Sequence, residues 1–357
     1  MDSSSIVCTS DHVRRLYDPH AILIDTMSFY DESETTWNER PYFSVVEAKR
    51  GKAGIHLETS FMDRTFDPAQ GVYLLPGADS SAIEWERKLQ NHFEKHGFRS
   101  VLSGVGGDEV LGGVPTSLPE LADCAMSGNL NLLLRRTIAW CLVDRRPLIH
   151  MLFDTVRFTA HLYRRPQIAK ANIPRWIAPR LRRRYVEFVD PPETRSIRGW
   201  GRSPSAVNNG LTWWAIMETL PHLRPASLAR YEYRYPYLDR DLVDFIFRIP
   251  REQVVRPGRR RSLMRRALRD LVPVEILERR RKAYLARGPV VSLQKSRDKI
   301  EKLFANSVTA KYGLIDPAQL RSAIDLAATG QDQNWTHSLL RSIGFELWLG
   351  NNSRVTA

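Results

Sequence analysis

The first third of the chain alternates short apolar runs with amphipathic stretches. Ala21-Ile22-Leu23-Ile24 is an apolar run that reads as a buried strand continuing toward Phe29. Pro41 to Lys49 reads as a helix that stops at Gly51, and Gly54 to Thr59 as the next strand. Ser81 followed by Glu84 reads as a capping box, in which each side chain would satisfy a backbone N–H that the helix start leaves open. It opens a helix through Trp85, Leu89 and Phe93 that ends at Gly97. Ser100-Val101-Leu102 is then a strand running into a glycine-rich loop. Strand, helix, strand, helix, strand predicts an α/β fold with a parallel sheet. Ligands of such sheets sit at the carboxyl ends of the strands.

From about residue 118 the pattern turns helical. Leu130 to Leu142, Trp213 to Leu220 and Leu242 to Phe247 are apolar, helix-like stretches, and Pro317 to Leu349 reads as helices broken at Gly330. The Pro- and Arg-rich piece from Arg164 to Pro204 reads as loop and short helix. We expect an α/β part over 1–117 and a mostly helical part over 118–357, with no internal repeat and no low-complexity tract.

Composition narrows the class. An apolar fraction of 43% and a charged fraction of 26% describe an ordinary soluble globular protein. No apolar run approaches the roughly 20 residues of a membrane span. The opening Met1-Asp2-Ser3-Ser4-Ser5 lacks the basic and apolar regions of a secretory signal. Three cysteines (Cys8, Cys124, Cys141), without a CxxC pair, suit reduced buried thiols better than a disulfide frame or zinc site. A cytoplasmic location is expected. The net charge of +13 is clustered at 175–184, 256–269 and Arg279-Arg280-Arg281-Lys282. Such clusters can face nucleic acid. The aromatic and glycine signatures of RNA modules and the spacings of DNA-binding motifs are missing, so solvated helix faces with a few phosphate-binding side chains are the better reading.

Three stretches carry candidate chemistry. In Leu102-Ser103-Gly104-Val105-Gly106-Gly107-Asp108-Glu109 a strand ends, small residues allow close backbone approach to a ligand, and two carboxylates follow at a helix start. Carboxylates beside a phosphate site suit magnesium, while a Gly-rich turn before an acidic helix N-terminus is the plainer alternative. Glu232-Tyr233-Arg234-Tyr235-Pro236-Tyr237-Leu238-Asp239, taken alone, reads as a Pro-bent loop with a structural Arg–Asp pair. The third stretch runs from Gly258-Arg259-Arg260-Arg261-Ser262-Leu263-Met264-Arg265 through Pro273 to Lys282-Ala283-Tyr284.

In this order the three resemble the asparagine synthetase family: an S-G-x-G-x-D-E loop, an E-x-R-x-P-x-L-D segment and a closing R-x-K-x-aromatic element. The opening Asp2-Ser3-Ser4 is similar to the end of the family's S-G-G-(L/M)-D-S-S pyrophosphate loop. The resemblance spans most of residues 1–290 and is loose between about 115 and 205. It implies an α/β sheet of the ATP-pyrophosphatase (adenine-nucleotide alpha-hydrolase) type with a mostly helical C-terminal portion, using ATP and Mg2+ to activate a carboxylate as its adenylate. By the same resemblance, Asp2, Ser3 and Ser4 would meet pyrophosphate and metal, and Phe29 would hold adenine. Ser103, Gly104 and Gly106 would hold the nucleotide, with Asp108 as second magnesium carboxylate and Glu109 beside it. Lys282 would stabilise charge as pyrophosphate leaves. Arg261 stands where many relatives have lysine, and Arg234 and Asp239 would be scaffold.

Three departures shape the expectation. The Ser-Gly-Gly half of the pyrophosphate loop and its preceding strand do not appear, which leads us to expect a chain that begins inside the motif and a sheet with open edges. No glutaminase domain appears either, so the nitrogen donor would be free ammonia, an amine, or ammonia from a separate glutaminase chain. Val105 stands where asparagine synthetases carry a glutamate, and valine can neither take nor give a proton. The resemblance therefore points to amide formation like that of a glutamine-hydrolysing asparagine synthase, acting on a small-molecule carboxylate such as aspartate. Its alternatives are a β-lactam synthetase or lasso-peptide macrocyclase, whose amine belongs to the same substrate, and a non-catalytic scaffold paralogue.

Overall fold

The computed structural model describes residues 1–30, 32, 38–58, 76, 83–113, 116–163, 173–182, 203–222, 230–279, 290, 293–329 and 336–353. Helix α1 (Asp2–Tyr17) opens the chain and buries Ser5 and Cys8. Arg14 and Arg15 in its last turn complement the negative end of the helix dipole. Strand β1 is Met27–Tyr30, so the expected strand at Ala21–Ile24 is displaced toward Phe29. The reason lies in the backbone partners. The carbonyls of Leu23 and Ile24 accept from the Lys52 and Arg50 side chains, and Ile22 is 90% exposed.

Helix α2 (Arg40–Arg50) ends at Gly51 as expected and returns the chain to β2 (Ile55–Glu58). The two strands pair in parallel, from Met27 against Ile55 to Tyr30 against Glu58. Helix α3 (Ile83–His96) leads to β3 (Ser100–Leu102), while the expected cap at Ser81 lies outside the described residues.

The partner of β3 comes from far along the chain. It is β4 (Glu232–Arg234), again parallel, with Ser100 against Glu232 and Leu102 against Arg234. The described strands thus form two parallel pairs rather than one continuous sheet. Glu232-Tyr233-Arg234 is a strand where a bent loop was expected. The expected Arg234–Asp239 pair does not form either: Arg234 bonds Glu232 at 2.9 Å. Asp239 instead caps the helix that follows, accepting from the N–H groups of Asp241 and Leu242.

The rest of the described chain is helical. After the short α4 (Gly107–Val110), helices α5 (Leu118–Met126), α6 (Leu130–Asp144) and α7 (Leu148–Tyr163) join around Leu121, Trp140 and Met151. Glu120 within this core receives the Trp140 indole N–H at 2.9 Å and faces Arg136 at 3.2 Å. A buried charge is tolerated only with such partners. Helix α8 (Pro204–Thr219) starts at the Ser203 cap. Beyond β4 and a 3-10 turn over Pro236–Leu238 come α9 (Arg240–Arg248), α10 (Arg251–Val254), α11 (Ser262–Ala267) and α12 (Val274–Leu277).

At the C-terminal end α13 (Arg297–Ala305), α14 (Val308–Lys311), α15 (Pro317–Ala328) and α16 (Thr336–Ser353) share a core of Leu293, Ile300, Leu320, Leu339 and Ile343. Trp176, from the Arg-rich piece, is buried in it, and Ile177 bridges to Ile315. Most of Arg164–Pro204, and Gly330 between α15 and α16, lie outside the described residues. Among the described residues no helix is long and apolar enough to cross a membrane.

Candidate active site

The carboxyl ends of β1 and β3 and the start of α1 meet at a cavity of about 680 Å³. Its wall includes Ser3, Ser4, Phe29, Ser103 and Gly104, all five of which the sequence singled out. The loop after β3 reaches α1 closely. A Cβ placed on Gly104 would lie 2.9 Å from the Asp2 Cβ and 3.2 Å from the Ser3 nitrogen. Gly106 is needed for its backbone, with φ at +93°, a region side chains with a Cβ rarely enter.

Next to this cavity wall, Asp2 and Asp108 converge on one guanidinium. Nη2 of Arg261 donates to Asp2 Oδ2 at 2.7 Å and to Asp108 Oδ1. Nη1 lies 2.5 Å from Asp2 Oδ1, yet that oxygen is buried and has no hydrogen bond of good geometry. Arg261 is itself 5% exposed. Burial alone would lower its pKa, but the charges of Asp2 and Asp108 outweigh that and hold it above its ordinary value. Arg261 also takes left-handed backbone angles, φ 54° and ψ 39°, and its N–H reaches the Gly112 carbonyl at 3.2 Å. A non-glycine residue held there costs on the order of 1–3 kcal/mol, a strain that tends to collect at functional sites.

A magnesium ion carried by a nucleotide asks for one or two carboxylates, with phosphate and water oxygens completing its shell. Asp2 and Asp108 fit that demand: both are oxygen donors, and they face one cation together. Among the described residues no three His, Cys, Asp or Glu side chains gather as a resident metal would require. Glu109 follows Asp108 on α4 but neither bonds Arg261 nor lines the cavity. Lys282 lies outside the described residues.

The structure adds residues that sequence reading missed. The Tyr237 hydroxyl shares a short hydrogen bond with Ser5 Oγ and donates to the Asp2 carbonyl at 3.2 Å, bracing the start of α1. Burial pushes that phenol up to about 12. Tyr237 stood inside the quoted motif between Pro236 and Leu238, but nothing in its spacing aims it at Ser5. Arg265 donates to the carbonyls of Arg260 at 2.9 Å and Arg279 at 3.0 Å. Arg279 in turn makes a two-pronged pair with Glu39, both contacts 2.7 Å, and lies over the Tyr42 ring.

No curated protein matches this chain. The model of one protein family, asparagine synthase, matches residues 1–350, nearly the whole length. That family's characteristic chemistry is ATP-dependent amidation, and the described fold of parallel strands among helices agrees with its ATP-pyrophosphatase domain. With three separated segments converging on one site and a match over this span, the chain belongs to the asparagine synthase family.

Proposed function

We propose that this chain binds ATP in the cavity between α1, β1 and β3, adenylates a carboxylate and passes the acyl group to a nitrogen nucleophile. The observation that carries the reading is the convergence of Asp2 and Asp108 on Arg261 beside a cavity walled by Ser3, Ser4, Phe29, Ser103 and Gly104. Phe29 offers its ring to adenine. Ser3 and Ser4, at the positive end of α1, and the backbone at Ser103, Gly104 and Gly106 suit phosphate and ribose oxygens. Asp2 and Asp108 would hold the magnesium, which when bound neutralises charge on the departing pyrophosphate. Lys282 is assigned the same task from the protein side, with Glu109 polar support beside Asp108.

The substrate carboxylate oxygen forms a bond to the α-phosphorus as the bond to the β-phosphate oxygen breaks. The nitrogen lone pair then attacks the acyl carbon, AMP leaves, and the nitrogen loses its proton to solvent. Preorganised cations aimed at the departing phosphates would supply most of the acceleration.

For the acceptor we favour ammonia with aspartate or a related carboxylate, delivered freely or by a separate glutaminase chain. One observation supports a second acceptor class. Val105 puts no carboxylate in the loop at that position, which suits a substrate that carries its own amine, as in β-lactam or macrolactam closure. Pyrophosphate release with MgATP, screened over aspartate plus ammonia and over longer amino acids and peptides, tests both. Release with aspartate and ammonia selects the first, and release only with an amine-bearing substrate selects the second. A folded chain that neither binds ATP nor releases pyrophosphate would be a scaffold, and the proposal would fall.

A further inference from the structure

Arginines crowd the segment that reaches this site, and several of them are already engaged. Arg261 is held between Asp2 and Asp108. Arg279 is clamped by Glu39. Arg259 pairs with Glu278 at 2.9 Å, Arg265 bonds two carbonyls, and Arg266 bonds Gln253. Among the described residues the side chains of Arg256, Arg260 and Arg269 have no hydrogen-bond or ion-pair partner, and Arg260 differs from the other two in not being exposed. It is only half-exposed, and the charges it feels are Arg261, Asp108, Arg279 and Asp2. Its backbone is fixed by the bond from Arg265 to its carbonyl, so its place beside Arg261 is set by the fold.

A half-buried guanidinium among other cations, without a carboxylate of its own, is poorly placed unless an anion joins it. Burial first, and then the Arg261 and Arg279 charges, lower its pKa against the opposing pull of Asp108 and Asp2. A polyphosphate chain held at the start of α1 is an anion of the right kind, and guanidinium binds phosphate oxygens in two-pronged fashion. We infer that Arg260 is a phosphate-binding residue of this chain, taking the pyrophosphate portion of the nucleotide, whereas Arg261 is spent on holding Asp2 and Asp108. The assignment rests on the ATP reading above and names a contact that the motif resemblance does not supply.

The test is calorimetric binding of magnesium pyrophosphate and of MgATP to the parent chain, Arg260→Gln and Arg256→Gln. Arg256 is an exposed arginine whose loss controls for overall charge. Because Arg260 has no described side-chain partner, its variant is expected to keep the parent's thermal midpoint. Pyrophosphate affinity should fall about 10-fold or more in Arg260→Gln, the size of one charge-assisted contact, and stay within about twofold in Arg256→Gln. Equal affinity in Arg260→Gln and parent overturns the assignment. An equal loss in Arg256→Gln also overturns it, since a diffuse positive field would then suffice. A folded parent that binds neither ligand overturns the ATP reading itself, which is a separate and recognisable result.

Discussion

Glu346, buried, and Asp2, partly buried, are both carboxylates held by the fold, and they are treated in opposite ways. Glu346, on α16, is 1% exposed and fully engaged. Its oxygens accept from Ser307 Oγ at 2.9 Å, the Val308 N–H at 2.5 Å, the Thr309 N–H at 3.0 Å and the Thr309 hydroxyl. That is a cap for α14, whose open N–H groups need an acceptor. Asp2 instead turns both oxygens to one guanidinium, Oδ2 accepting from Arg261 Nη2 at 2.7 Å and Oδ1 lying 2.5 Å from Nη1. Its neighbour Asp108 leans on the same guanidinium. A carboxylate whose donors are all supplied by its own fold belongs to stability. One paired only with a guanidinium that a second carboxylate shares, beside a cavity, is the one expected to serve a ligand.

Four measurements test this contrast. The largest effect is expected at Glu346→Ala, which strands the Val308 and Thr309 N–H groups and two hydroxyls in the core. It should cost about 3–5 kcal/mol by chemical denaturation, and a loss below about 1 kcal/mol would mean the cap is dispensable. Asp2→Asn should do the reverse, lowering pyrophosphate release about 100-fold, roughly 2.7 kcal/mol in the barrier, while stability changes by less than about 1 kcal/mol. A stability loss as large as that of Glu346→Ala would erase the distinction.

Third comes the pH dependence of stability. The Tyr237 phenol is raised to about 12 in the folded chain by burial, against about 10 unfolded. The folded state thus keeps a proton that the unfolded state sheds first. Its contribution is whole below about pH 10 and is lost as pH rises toward about 12, amounting to about 2–3 kcal/mol. Denaturation across that window should show the slope in the parent and not in Tyr237→Phe. The smallest effect is set for Asp239→Ala. Removing this helix cap should cost about 1 kcal/mol and leave pyrophosphate release unchanged, although the residue lies in the same motif as Tyr237. A large loss of turnover on a stable chain would move Asp239 from scaffold to site.

Local reading of the sequence went furthest where a helix or strand is decided by its own residues. The apolar positions of α2 and α3, bounded by Gly51 and Gly97, and the run Ser100-Val101-Leu102 were legible because spacing and terminators act within a few residues. Ala21–Ile24 misled for the same reason. Its composition is that of a strand, but Arg50 and Lys52 claim its carbonyls, and their reach depends on how α2 packs. Glu232–Arg234 erred in the other direction, since three residues beside a proline show no strand period until β3 supplies the ladder.

The site divides along the same line. Local reading singles out Ser103, Gly104 and Gly106 as a small-residue loop with the acids Asp108 and Glu109 behind it. Asp2, Ser3, Ser4, Phe29 and the basic residues Arg261 and Lys282 come only through the family resemblance. Residue type and local backbone freedom are properties of short segments, so the sequence alone determines them. That Arg261 stands between Asp2 and Asp108, that Tyr237 braces Ser5, and that Arg260 is left without an acid are decided by tertiary structure. Each depends on segments more than a hundred residues apart meeting at distances of a few ångströms, where the pairing of one charge removes it from every other use.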